Sequence, residues 1–113
     1  MKAIELKKVE VVEIQVLQKE VQKFLTYKNA TISATDIDFF DSLLVIDVLQ
    51  RLYYNFRGKI ERTSRIEANL KLQVSEGCIL LLCCTFNQSL RNEYDTFVMR
   101  KFSALLDQQL KKF

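Results

Sequence analysis

The sequence predicts a mainly α fold: a bundle of about four helices in one domain spanning residues 1–113, with room for a small two-stranded β element. Three observations point there. The chain has no proline and only two glycines, Gly58 and Gly77, whereas all-β folds need many tight turns and use both residues to make them. Apolar residues make up 49% and charged residues 27%, a balance that builds a core rather than a disordered chain. Long stretches repeat their apolar residues at helical spacing. A length of 113 residues supports one core, not two. No internal repeat, low-complexity tract or linker is visible.

The first helix is expected from about Val9 to Tyr27. Ile14, Leu17, Val21, Phe24 and Leu25 mark its apolar side, with Lys19, Glu20 and Lys23 on the other. Before it, residues 3–6, "AIEL", alternate and read as a first strand or as the opening of the helix. "NATISAT" is a polar connection. Thr35 followed by Asp36 and Asp38 resembles a cap with acids facing the positive helix end. The second helix is expected from about Asp36 to Phe56, with Phe40, Leu43, Leu44, Val48, Leu52 and Phe56 as its apolar side and Gly58 at its exit. Asp47 lies near that side, four residues before Arg51, a favourable helical pairing. A last helix is expected over about Leu90 to Lys112, where Tyr94, Phe97, Val98, Phe102, Leu105, Leu106 and Leu110 form a stripe.

Residues 66–86 admit three readings. Ile66, Ala68, Leu70, Leu72 and Val74 alternate with polar residues, a strand signal that stops at Val74. "CILLLCC" is then apolar throughout and lacks the β-branched residues that strands prefer. A hairpin turning at "SEG", which would make the fold α+β, is one alternative. A single helix from Arg65 to Phe86 opened by Ser64 and Glu67 is another. The favoured reading is a strand over 66–74 paired with residues 3–6, Ser75 as a cap, and a buried helix over 76–87.

Composition removes much chemistry. Histidine is absent, which takes away the commonest general base and the usual nitrogen ligand for metals. Glycine is too scarce for a phosphate-cradling loop, and the cysteines form no Cys-x-x-Cys pair. No catalytic residue, cofactor or metal site is expected, and the chain reads as a non-enzyme. Asp36, Asp38, Asp41 and Asp47 invite a cation or acid–base reading, but a capped, solvated helix start and the local pair with Arg51 account for them. Cys78, Cys83 and Cys84 read as reduced, buried thiols of a cytoplasmic protein. The start, "MKAIELKKVEVVEIQV", lacks the apolar core of a signal peptide. The longest apolar run, Cys78 to Cys84, falls far short of the roughly 20 residues of a membrane span.

The candidate contact segment is "QRLYYNFRGKIERTSR". Arg51, Arg57, Lys59, Arg62 and Arg65 surround Tyr54, so cations for phosphates lie beside a ring for stacking. Cations offsetting a helix C-terminus explain the same residues, and the net charge of +3 adds no wider basic footprint. The leading functional expectation is a small cytoplasmic protein-interaction or regulatory module that self-associates, as a homodimer. The alternative is a nucleic-acid-binding accessory protein using residues 51–65. A membrane partner is not expected.

Overall fold

The computed structural model describes residues 3–31, 39–63, 65–86 and 91–112. Its elements run β1 (Ala3–Glu10), α1 (Val11–Thr31), α2 (Phe39–Arg62), β2 (Glu67–Gln73), α3 (Val74–Thr85) and α4 (Glu93–Leu110). The order strand–helix–helix thus occurs twice, although the sequence shows no repeat. The fold is mainly α with a small antiparallel sheet, as the sequence predicts. The hairpin and single-helix readings of 66–86 are not what forms: alternation over 67–73 makes a strand, and the continuous apolar run makes a helix.

β1 and β2 pair antiparallel, with Ile4 opposite Leu72 and Leu6 opposite Leu70. The register then slips by one residue, so that Val9 faces Ala68. This bulge keeps Ile4, Leu6 and Val9 all on the buried face, which strict alternation would not. Lys8 carries the distortion at φ 56°, a left-handed conformation unusual for a side-chain-bearing residue. Its N–H donates to the Asn69 side-chain oxygen at 3.1 Å.

Both strands run straight into a helix, and both junctions are closed alike. The Glu10 N–H donates to the Glu13 carboxylate at 3.0 Å, and the Gln73 N–H donates to Glu76 at 2.8 Å. A carboxylate three residues into a helix satisfies a donor at its start and meets the positive helix end. The α3 cap is therefore Gln73, two residues before the expected Ser75. Thr35, Asp36 and Asp38 lie outside the described residues. At α4 the Asn92 side chain accepts from the Asp95 N–H at 2.8 Å, so this helix starts at Glu93, later than expected. α2 does not end near Gly58 but continues to Arg62. An interior glycine costs about 0.5–1 kcal/mol, and the packing of Ile60 against the core offsets it.

The core joins Ile4, Leu70 and Leu72 of the sheet to one stripe from each helix. These are Ile14, Leu17 and Val21 of α1, Leu49, Leu52 and Phe56 of α2, Leu80 and Cys83 of α3, and Val98, Met99, Phe102 and Leu106 of α4. α1 packs along α2, and α3 along α4. Gly77 serves close approach rather than a turn: a Cβ there would press on Ile4 Cδ1, so α3 lies directly on β1.

Charges also enter the interior. Glu20, expected on the solvent side of α1, is buried and pairs with Arg91 at 2.6 Å, the two side chains being 2% and 3% exposed. Arg91 also donates to the carbonyls of Cys84 and Cys83, each at 2.7 Å, and Phe86 at 2.9 Å. It thereby supplies the donors that the C-terminal carbonyls of α3 lack. Lys19–Asp95 and Lys101–Glu13 add two more ion pairs between α1 and α4. Among the described residues no buried side-chain nitrogen or oxygen is left without a partner.

Candidate functional site

α2 carries two stripes on opposite faces. One, with Leu49, Leu52 and Phe56, enters the core. The other steps by four and three through Phe40, Leu44, Asp47, Arg51, Tyr54 and Gly58, which places these residues along one line of the helix. Three of its apolar members face water: Phe40 is 75% exposed, Leu44 67% and Tyr54 64%. Leu43, beside them, is exposed as well. Phe40, Leu43 and Leu44 were expected in the core, and the structure corrects this. The apolar side read from the sequence merges two stripes, and only the stripe shared by Val48, Leu52 and Phe56 is covered. An aligned apolar row differs from scattered surface apolar residues because one partner can cover all of it.

The centre of the exposed stripe is charged. Asp47 and Arg51 pair at 3.3 Å, the local contact the sequence predicts, and both remain well solvated.

The six candidate contact residues do not form one site. Arg51 and Tyr54 belong to the exposed stripe. Arg57 is held by Glu61 at 3.1 Å. Lys59, Arg62 and Arg65 line an open concavity of about 760 Å³, together with Lys8 and Asn69 from the bulge. Arg62 there donates to the Gly58 carbonyl at 3.0 Å, which closes the helix end. No aromatic among the described residues lines this concavity, and Tyr54 packs edge-on against Tyr53 at 5.4 Å. Cations and a ring therefore adjoin where Arg51 precedes Tyr54 on the exposed stripe, and the cations of the concavity lie apart from it. Lys8 was missed, and the lysine pair interrupting the alternation of β1 was its signal.

A second concavity, of about 810 Å³, lies between α3 and α4 and includes Cys84, Arg91, Met99 and Arg100. Its chemistry is spoken for. Arg91 is committed to Glu20 and to three carbonyls, and burial pushes the Cys84 thiol up to about 12, so the thiolate needed for nucleophilic attack does not form near neutrality. Burial also pushes up the Cys83 thiol. Cys78 departs from the expected burial and is exposed, because it falls on the outer side of α3. Asp41 and Asp47 are exposed on α2, and no group of three or more Cys, Asp or Glu among the described residues is arranged to hold a metal ion. No described helix is long and apolar enough to cross a membrane.

No protein-family model matches this chain, no curated protein matches it significantly, and no solved structure does. A functional reading therefore rests on the surface itself.

Proposed function

We propose that this protein is a non-catalytic protein-interaction module of the cytoplasm, with the exposed stripe of α2 as its working surface. The observation that carries the reading is the row Phe40, Leu44 and Tyr54, three large apolar side chains exposed on one helix line. Covering such a row releases water from apolar area at about 25 cal/mol per Å², and aromatic residues are favoured anchors in protein interfaces. Three free cysteines, two of them buried, suit a reducing compartment.

A photoreactive residue placed at Leu44, in cells producing the full chain, tests this. Protein adducts should form from position 44 and not from Gln108, an exposed residue of α4. Equal labelling from both positions, or none from position 44, would contradict the proposal.

A further inference from the structure

We infer that the partner is a second copy of the chain, bound through α2 in antiparallel orientation about a two-fold axis level with Leu49. This rests on reading the stripe as an interaction surface and adds its occupant and register. The stripe runs Phe40, Leu44, Asp47, Arg51, Tyr54, Gly58. Reversed end for end about position 49, it falls onto itself. Asp47 meets the second copy's Arg51, Leu44 meets Tyr54, and Phe40 meets Gly58, each contact occurring twice.

Every pairing is complementary. The two Asp47–Arg51 contacts across the axis join the two existing intrachain pairs at 3.3 Å into a ring of four alternating charges. A parallel pairing in register would instead set Asp47 on Asp47 and Arg51 on Arg51, so charge selects the direction, as polar residues do within helical seams. At the ends, Gly58 presents backbone with no side chain of its own. The Arg62 guanidinium lies over it, 3.0 Å from where a Cβ would stand. An aromatic ring arriving there meets that guanidinium, a flat cation of the kind on which rings stack. Leu44 against Tyr54 completes the apolar contact on either side of the charges. The stripe from Phe40 to Gly58 is about 27 Å long at 1.5 Å per residue, enough for five turns of helix to pack side by side. An unrelated partner would not require a surface that is its own reverse complement; a second copy does.

Mass measured by light scattering against concentration, on the purified full chain, tests the register. The wild type should dimerise. Asp47→Arg alone and Arg51→Asp alone each place four like charges at the axis and should weaken the dimer about 100-fold or more. The exchange of both residues, and an equimolar mixture of the two single variants, should restore it. Because these side chains are exposed, the single variants should keep the wild-type circular dichroism. Direction is read separately in a Cys78→Ser background, where a short bis-maleimide should join Leu44→Cys to Tyr54→Cys but not Leu44→Cys to itself. Single variants that still dimerise, an exchange that fails to restore, or a Leu44→Cys self-adduct would overturn the inference. If the wild type stays monomeric while position 44 labels a different protein, the interaction reading survives and the homodimer falls.

Discussion

The Arg91 guanidinium and the Glu20 carboxylate meet at 2.6 Å across 71 residues of sequence, both hidden from solvent. The same guanidinium bonds three carbonyls at the end of α3, so one side chain ties α3, α1 and the approach to α4 together. A buried ion pair adds little over a well-packed apolar pair, but removing one member leaves the other charge stranded. Arg91→Ala should destabilise the protein by about 3–5 kcal/mol. Arg91→Lys should recover part of this, because an ammonium keeps the charge without the planar fork. Urea denaturation measures both, and a loss below about 1 kcal/mol for the alanine variant would refute the role.

Gly77→Ala gives a test by sign. Helix propensity alone predicts a gain of about 1 kcal/mol for replacing an interior glycine. The clash with Ile4 Cδ1 predicts a loss of about 1–3 kcal/mol. Adding Ile4→Val, which deletes the offending methyl, should return part of that loss. Thermal and urea unfolding of the single and double variants decide between the two.

The cysteines predict a reactivity pattern and an alkaline limit. In the folded protein at pH 8, a thiol reagent should label Cys78 and spare Cys83 and Cys84; denaturant should expose all three. Burial raises the Cys84 thiol from its ordinary 9.0 to about 12. As pH climbs past 9 the unfolded chain therefore loses this proton before the folded chain does. The stabilising contribution is complete below pH 9 and is lost as pH rises toward 12. Cys83, raised in the same direction, adds to the effect. Cys84→Ala should flatten the fall in stability measured between those limits.

Elements were legible in this sequence to the degree that their signal was periodic. The alternation over Ile66–Val74 marks β2, and the break at Ser75 marks the change to helix within two residues. Periodicity identifies apolar residues without saying which face is covered. Phe40 and Phe97 therefore looked equivalent to Phe56 and Phe102, although the first two face water and the last two are sealed. Glu20 reads as part of the polar side of α1 and Arg91 belongs to no pattern, because their pairing is set by how the helices pack. Of the basic segment, the charges were plain, but their separation onto the exposed stripe, the Glu61 contact and the β2 concavity depends on helical phase and on α2 running past Gly58.

Sedimentation equilibrium of the wild type beside Phe40→Ser/Leu44→Ser asks directly whether the exposed α2 stripe joins two copies of the chain. The wild type should approach twice the 13.3 kDa chain mass with rising concentration. The variant should remain at 13.3 kDa and keep the wild-type circular dichroism, since neither side chain supports the core; its thermal unfolding should lose only the concentration-dependent part. A wild type that stays at the single-chain mass, or a variant that still doubles, would contradict a dimer through this stripe.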